Sequence, residues 1–238
     1  MLTTSKPLCA GQAQTYPQRE FTAKEQNYWS QQGVIAGEWQ KRLAEQFGLA
    51  GTVSAEELAK LSQGQHPKTG EQLVRQRVSC ESQDAEDKTS KTMEHRVGWD
   101  ATFFAPKSVS GIALVGADDR VRDAHRESVC VALDPLEHCT QARIGGNHPT
   151  ETTGKLIAAK FEHDTARPVN GYIAPQLHTR AIIFNVTERE NGQTRALQER
   201  SLFQSQHYAT SVYRSELAMR LHGLGYEIER GKHGQPEI

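Results

Sequence analysis

The sequence has little of several features that define particular classes of protein. Only four of its 238 residues are cysteines, and aromatic residues make up 7%. So few cysteines in a chain of this length do not indicate the disulfide framework of a small secreted domain. The best apolar run, residues 111–117, is far short of the roughly 18 residues that a membrane span needs. The N-terminus also lacks the apolar segment of a secretory signal. These absences predict a soluble, intracellular protein with no membrane segment.

The chain also has almost no net charge. Lysine plus arginine total 28 and aspartate plus glutamate total 29, which gives a formal charge of −1. This balance excludes a protein that coats nucleic acid through its overall positive charge, although it allows a local basic face. Hydrophobic residues make up 36%, below the globular average, so we expect long polar loops around a core.

Hydrophobic spacing predicts four helices. One begins at residue 38, because Trp39, Leu43 and Phe47 recur every fourth residue and Gly48 is placed to end it.

A second short helix follows Ser54, which forms a capping-box pattern with Glu57. A third covers residues 119–143, where Pro135 is expected to break or bend it. A fourth covers residues 201–222.

Strands are predicted between these helices, at 97–104, 152–161, 178–187 and 226–230. Asn191-Gly192 is a strong hairpin signal after the third strand. Residues 62–96 form a long polar stretch, which is either functional or mobile. Strands that alternate with helices and include an antiparallel hairpin predict an α+β fold, with a sheet covered by helices.

Two histidines stand at predicted strand ends. His163 ends one strand and His178 opens the next, and alternation along a strand makes positions 178 and 180 project together. If the two strands are neighbours, His163 converges with them, and converging imidazoles can bind a divalent transition metal. On spacing alone, ordinary hydrogen-bonding histidines remain the default interpretation.

Three further features suggest chemistry. Asp100 is set in an apolar strand, where it either makes a structural hydrogen bond or serves a site. Lys107 and the serines that follow it either cap a helix, which is the default, or contact phosphate. Tyr16 and Tyr28 lie in a polar segment, where a tyrosine becomes a nucleophile only if its target is polarised and its proton is accepted.

Long motifs in these segments resemble those of the MobF family of conjugative relaxases, which belong to the HUH endonucleases. The family strand GxDLTFSAPKSVS is similar to GWDATFFAPKSVS at 98–110, and the family metal strand PQLHTHAV is similar to PQLHTRAI at 175–182. A histidine followed by an acid and threonine appears in KFEHDT at 160–165. Near the N-terminus, GQAQTY at 11–16 resembles Gly-x-Ala-x-x-Tyr. Residues 37–40 and 221–234 are also similar to family stretches.

The resemblance implies a single relaxase domain over residues 1–238, with an antiparallel β-sheet palm flanked by helices. The C-terminal lid and helicase regions of longer relatives would be absent. The implied activity is site- and strand-specific DNA nicking and joining at a plasmid origin of transfer, which initiates conjugation. The implied partners are the single-stranded and hairpin DNA of that origin, accessory relaxosome proteins and a coupling protein. We expect a monomer in the cytoplasm of a bacterial donor cell, carried into the recipient with the DNA.

The resemblance also assigns roles to residues. Tyr16 matches the nucleophile that forms a 5′-phosphotyrosyl intermediate, and Tyr28 lies where relatives keep a second tyrosine for the closing transfer. Asp100 matches the acid that helps to deprotonate the tyrosine or orients an imidazole. His163 and His178 match two of three histidines that hold a divalent ion. Mg²⁺ or Mn²⁺ is expected, with Zn²⁺ or Ni²⁺ as substitutes in vitro.

Position 180 departs from the family, because Arg180 replaces the third metal-binding histidine. A guanidinium has no lone pair for a metal, and beside a dication it adds repulsion. Three interpretations follow: weakened metal binding, which we favour; an Arg180 that swings away and leaves two histidines with water or with a further ligand such as Glu162 or Gln176; or an Arg180 that clamps the phosphate.

Two alternative functions follow from the same residues. The first is an origin-binding homologue that has lost metal-dependent nicking through Arg180. The second is another HUH enzyme such as a replication initiator, which the APKSVS strand disfavours.

Contacts to DNA are expected from basic side chains and stacking aromatics. Trp29 and Trp39 are candidate stacking platforms, and core tryptophans with a solvated charged loop are the alternative. The candidate basic residues are Arg75, Arg77, Lys88, Lys91, Lys107 and Arg180.

Overall fold

The computed structural model describes residues 1–9, 37–74, 78–83, 89–94, 96–146, 148–166, 169 and 171–238. For residues 9, 78–83 and 89–94 it describes the backbone and not the side chains. The predicted site residues Tyr16, Tyr28, Arg75, Arg77 and Lys88 therefore lie outside the described residues.

Five helices and fourteen strands are found in the described residues. The helices are α1 (Arg42–Gln46), α2 (Ala55–Ser62), α3 (Lys107–Leu114), α4 (Asp119–His138) and α5 (Glu199–Gly223). The strands are β1 (Leu2–Thr4), β2 (Leu8–Cys9), β3 (Glu38–Gln40), β4 (Val78–Gln83), β5 (Thr89–Glu94), β6 (Arg96–Phe104), β7 (Gln141–Ala142), β8 (Glu151–Thr152), β9 (Ala158–Thr165), β10 (Pro175–Phe184), β11 (Thr187–Glu188), β12 (Thr194–Arg195), β13 (Glu229–Arg230) and β14 (Pro236–Glu237).

The central sheet is antiparallel, with the strand order β1-β6-β10-β9-β3, and β2 also pairs with β6. β10 lies between β6 and β9, so the two histidine-bearing strands are hydrogen-bonded neighbours. In an antiparallel pair, residues directly opposite each other project from the same face. The register therefore decides which side chains share each face of the sheet.

One face of the sheet is covered by the long helices. Trp99, Phe103, Ala181 and Ile183 are all 0% exposed on this face. They pack in one cluster with apolar residues of α3, α4 and α5, of which Tyr213 on α5 is fully buried. Burial of large apolar side chains is the dominant favourable term in folding, so this cluster is the main core.

The opposite face is divided along the strands. Ile182 and Phe184 of β10 pack there with Trp39 and with apolar residues of α1 and α2. Further towards the start of β10, the same face carries Arg180 and His178. Among the described residues, the second core therefore covers one end of this face and leaves polar side chains at the other end, which we call the open face.

Several sequence predictions are confirmed, beginning with the α+β class and its helix-covered antiparallel sheet. The capping box is present, because the Ser54 hydroxyl accepts from the Glu57 backbone N–H and the Glu57 carboxylate accepts from the Ser54 N–H. The predicted strand at 97–104 and helix at 201–222 correspond to β6 and α5. Gly192, with φ +78°, forms the expected turn between β11 and β12.

The helix predicted from residue 38 was wrong at its start. Residues 38–40 form β3, which pairs with β9, and the helix begins only at Arg42. The reason is Lys41, whose φ of 87° interrupts the helical backbone. The Lys41 ammonium donates to the Cys130 carbonyl at 3.0 Å and to the Asp134 carboxylate, and these contacts help to hold Lys41 in this backbone conformation.

Other boundaries also differ from the predictions. The strand predicted at 152–161 divides into β8 and β9, and the strand predicted at 178–187 is shifted to β10. α4 continues through Pro135 and ends at His138, because the proline lies in the last turn. The predicted strand at 226–230 shortens to β13, and the polar stretch at 62–96 contains the hairpin of β4 and β5.

No helix among the described residues is long and apolar enough to cross a lipid bilayer.

We predict that Gly98→Ala destabilises the fold at the β6–β10 pair. A Cβ at Gly98 would lie 1.9 Å from the Ile183 carbonyl oxygen, so the two backbones must separate. Overpacking of this kind costs about 1–3 kcal/mol or more. Gly111→Ala is the matched control, because its Cβ meets nothing within 4 Å inside α3, and it should gain about 0.5–1 kcal/mol. Urea unfolding measures both, and a Gly98→Ala protein as stable as the parent would contradict this packing.

Candidate active site on the open sheet face

The two candidate histidines stand side by side on neighbouring strands. His178 of β10 is the direct register partner of His163 of β9. Their rings are stacked, with centroids 4.9 Å apart and planes 22° apart. Phe104 of β6 stacks on the other side of His178, with centroids 5.4 Å apart. Three rings thus form a row across three strands, and the structure brings together the imidazoles that the sequence analysis expected to converge.

A backbone carbonyl orients the His178 ring. His178 Nδ1 lies 3.0 Å from the Gln176 carbonyl oxygen, which can only accept a hydrogen bond. The proton of the neutral ring is therefore assigned to Nδ1, and the lone pair to Nε2. This arrangement is typical of imidazoles that bind metals, where a carbonyl fixes the tautomer from the far side of the ring.

Asp100 and Arg180 form an ion pair beside this row. Arg180 Nε donates to Asp100 Oδ2 at 2.9 Å, and Nη2 donates to the same oxygen. The Thr102 hydroxyl donates to Asp100 Oδ1 at 3.0 Å, and Asp100 is only 5% exposed. The buried carboxylate in the apolar strand therefore has partners, as its burial requires.

Arg180 stays charged in this position. Burial lowers the pKa of its guanidinium to about 10, which is still well above neutral pH. The side chain is 30% exposed and remains with the histidines on the open face. The interpretation in which Arg180 swings away is therefore not the arrangement observed.

The alternative ligand Glu162 is wrong, and the amide nitrogen of the other, Gln176, is bound elsewhere. Glu162 projects from the opposite face of β9, where Arg126 Nε donates to it at 2.7 Å. Gln176 is buried, and its amide nitrogen donates to the Ala105 carbonyl oxygen at 2.9 Å. Strand alternation separates Glu162 from the adjacent His163, and the amide of Gln176 is committed to the loop after β6.

The residues fit a divalent ion at two positions out of three. Two imidazoles on one face are a suitable donor pair for a divalent transition ion. The guanidinium of Arg180 cannot coordinate a metal. Among the described residues, no group of three or more histidine, cysteine, aspartate or glutamate side chains is arranged to hold an ion.

The remaining predicted site residues are two tryptophans and two lysines. Trp39 is only 5% exposed, and its indole N–H donates to Glu57, so it is a core residue and not a stacking platform. Trp29 is outside the described residues, as is the side chain of Lys91. Lys107 is exposed at the start of α3.

The expected capping role of the serines after Lys107 is wrong. Pro106 occupies the N-cap position of α3, and no side chain caps it. The Ser110 hydroxyl instead accepts from the backbone N–H of Leu177 at 3.2 Å. It therefore joins α3 to the start of β10, just before His178.

Sequence reasoning missed a group behind the site. His125 of α4 is fully buried, with its ring nitrogens 2.8 Å from the Tyr213 hydroxyl and 2.9 Å from the Thr179 hydroxyl. Thr179 stands between His178 and Arg180 in the chain. The available signal was a histidine at a position of α4 whose helical neighbours are apolar core residues.

Comparisons with known proteins agree with this geometry. A family model described as TrwC relaxase matches residues 10–238. The multifunctional conjugation protein TraI of Escherichia coli is 36% identical over 250 residues, which cover 100% of this chain and 13% of TraI.

Solved structures are similar as well. The metal-bound structure of conjugative relaxase TrwC in complex with oriT DNA has a TM-score of 0.77 and 35% identity, and the match covers 100% of this chain and 75% of that one. TrwC complexed with a 27-mer DNA comprising the recognition hairpin and the cleavage site has a TM-score of 0.76 and 35% identity, with 100% and 74% covered.

The antiparallel sheet with paired histidines on its open face, together with these matches, places the chain in the relaxase class. The chain belongs to the TrwC relaxase family.

We predict that buried His125 makes the fold sensitive to acid. Burial, the largest cause, lowers the pKa of His125 from 6.5 to about 3. Between these values the unfolded chain binds a proton that the folded chain does not, so stability falls as pH falls from 6.5 towards 3. The loss from this residue is at most about 1.4 kcal/mol per pH unit.

Urea unfolding at several pH values checks this, with His125→Gln as the comparison. The variant should lose less stability than the parent over this range. Parallel pH dependences for the two proteins would show that His125 does not remain neutral in the fold.

Proposed function

We propose that this domain nicks and rejoins one strand of DNA at a plasmid origin of transfer. The observation that carries the proposal is the stacked His163–His178 pair beside the Asp100–Arg180 ion pair, on the open face of a TrwC-family palm. The chain spans 13% of the length of TraI, so the activity of the whole relative is not transferred with it.

The proposed substrate is an origin hairpin with its adjoining single strand. The TrwC complexes with oriT DNA support this class of partner. Exposed Lys107 and half-buried Arg180 are candidate phosphate contacts within the described residues. Arg75, Arg77, Lys88 and Lys91 remain predictions.

The proposed reaction is a transesterification. The phenolic oxygen of Tyr16 attacks the scissile phosphorus, the bond to the 3′-oxygen breaks, and the products are a 5′-phosphotyrosyl link and a 3′-hydroxyl. The aryl-oxide is itself a good leaving group, so the 3′-hydroxyl can reverse the step and rejoin the strand. Tyr28 is proposed to serve the closing transfer.

Asp100 acts in this proposal through Arg180. A carboxylate that accepts two hydrogen bonds from a guanidinium is a poor proton acceptor, because the pair stabilises its ionised form. Asp100 is therefore proposed to hold Arg180, and Arg180 to place a permanent positive charge beside the phosphate. This favours the phosphate-clamp interpretation together with weakened metal binding.

His163 and His178 are the residues that would hold a divalent ion, Mg²⁺ or Mn²⁺. When bound, such an ion withdraws charge from the scissile phosphate. With two protein ligands and a neighbouring guanidinium, affinity should be lower than for three imidazoles. Accessory relaxosome proteins, a coupling protein, a monomeric state and a cytoplasmic location complete the proposal.

We predict that an oligonucleotide with a cognate origin forms a covalent adduct with the protein. The adduct appears as a gel shift that survives denaturation, and Tyr16→Phe should abolish it. Tyr28→Phe should retain it and reduce only strand rejoining. Origin binding without any adduct, with Mn²⁺ present, would instead support the silent origin-binding alternative.

We predict that Arg180→His raises both Mn²⁺ affinity and nicking. The change supplies a third imidazole and removes a charge repulsion worth a few kcal/mol near a surface, so affinity should rise at least about tenfold. Calorimetric titration with Mn²⁺ measures this, and Arg180→Lys is the control that keeps a charge without adding a ligand. Equal Mn²⁺ affinity for the parent and Arg180→His would refute the impaired-metal interpretation.

A further inference from the structure

One face of helix α4 makes polar contacts with the back of both histidine-bearing strands. Arg122, His125 and Arg126 stand three and four residues apart, so they project from the same side of the helix. That side packs against the sheet face opposite the histidines. We call these three residues the rear clamp.

On β9, the rear clamp holds the residues on either side of His163. Arg122 donates to Glu162 Oε1 at 2.8 Å and to Asp164 Oδ2 at 3.1 Å. Arg126 donates to both oxygens of Glu162, at 2.7 and 3.0 Å. The side chains of Glu162, Asp164 and Arg122 are 5%, 12% and 14% exposed, so these contacts are largely protected from solvent.

On β10, the rear clamp holds the residue between His178 and Arg180. His125 Nε2 lies 2.9 Å from the Thr179 hydroxyl, and Thr179 is 2% exposed. The other ring nitrogen of His125 lies 2.8 Å from the hydroxyl of Tyr213 on α5. Both nitrogens are engaged, so the ring has a fixed position from which to hold Thr179.

We propose that Arg122, His125 and Arg126 are positioning residues, which set the placement of His163, His178 and Arg180 from behind the sheet. On the face that would meet DNA, a supporting group competes with the substrate for space, whereas the chain neighbours of these residues point the other way and can be held by a helix. His163, His178 and Arg180 are each adjacent in sequence to a residue held by α4. The inference rests on the proposed function for its catalytic consequence, and on the contacts alone for its structural one.

The first test is Arg122→Lys. The substitution retains the positive charge. It replaces the planar guanidinium, which binds two carboxylates at once, by a single ammonium group. Mutation of the residues that support the ligands of a metal site typically lowers metal affinity or activity 10- to 100-fold. We expect the rate of adduct formation to fall 10- to 100-fold, while the Kd for an origin oligonucleotide changes less than twofold.

The chain supplies a matched control in Arg220→Lys. Arg220 of α5 also joins two carboxylates, Glu127 of α4 and Glu216, and its side chain makes no hydrogen bond to β9 or β10. It should stay within twofold of the parent in adduct rate. The two variants should have similar thermal midpoints, which separates positioning from loss of stability.

A second pair of variants tests the contact between His125 and Thr179 of β10. This pair also keeps the proposal testable if Arg122→Lys does not fold. Thr179→Val is close in shape but removes the hydroxyl that faces His125, and Thr179→Ser retains it. The valine variant should lose 10- to 100-fold in adduct rate, and the serine variant should recover most of it.

A spectroscopic measurement keeps this test separate from the proposed function. The imidazole CH resonances of His163 and His178 should shift in Arg122→Lys and stay unchanged in Arg220→Lys. If the parent forms no adduct but these shifts occur, the nicking proposal fails and the rear clamp stands. Unchanged imidazole resonances in both Arg122→Lys and Thr179→Val would overturn the rear clamp.

Discussion

The site depends on the register of β10 between its two neighbours. His178 faces His163 on one side and Phe104 on the other, while Arg180 lies opposite Thr102 and within reach of Asp100. Because side chains alternate, a slip of one residue would turn both His178 and Arg180 into the apolar core and expose Ala181. The fully buried Ala181 and Ile183 on the reverse face oppose such a slip, so the same packing that stabilises the sheet also keeps the site on its open face.

Position 180 shows how the chain accommodates a cation in an imidazole-rich site. A buried carboxylate is costly unless it is paired, and Asp100 is almost fully buried. Arg180 satisfies it directly, with two donors on one oxygen. Asp100 orients the guanidinium of Arg180, so the positive charge of Arg180 has a fixed position on this face of the sheet. A histidine at position 180 would offer Asp100 one ring N–H at most. A substitution at position 180 therefore also changes the hydrogen bonding of Asp100.

The sequence predicted the parts of the site that follow from local periodicity. Alternation along a strand placed positions 178 and 180 together, and the pairing of neighbouring strands brought His163 to them. The capping box at Ser54 is equally local. The start of the first helix was not predictable from spacing, because Trp39 fits a helical period and a strand equally well, and the choice depends on the positive φ of Lys41 and on pairing with β9. The rear clamp was missed because periodicity identifies the buried side of α4 without saying which residues of the sheet it meets.

The two faces of the sheet therefore differ in what their side chains must do. The open face is the proposed DNA-binding surface, so it must stay accessible, and ion pairs exposed to solvent hold polar side chains only weakly. The covered face does not need to stay accessible. Polar contacts on that face are shielded from water, and this shielding makes them stronger. Placing charged residues such as Glu162 on the covered side of a site strand is expensive unless every charge is paired, and the arginines of α4 provide that pairing. In this fold, the contacts of α4 beneath the sheet are proposed to add to the ring stacking and the Asp100–Arg180 pair in ordering the open face.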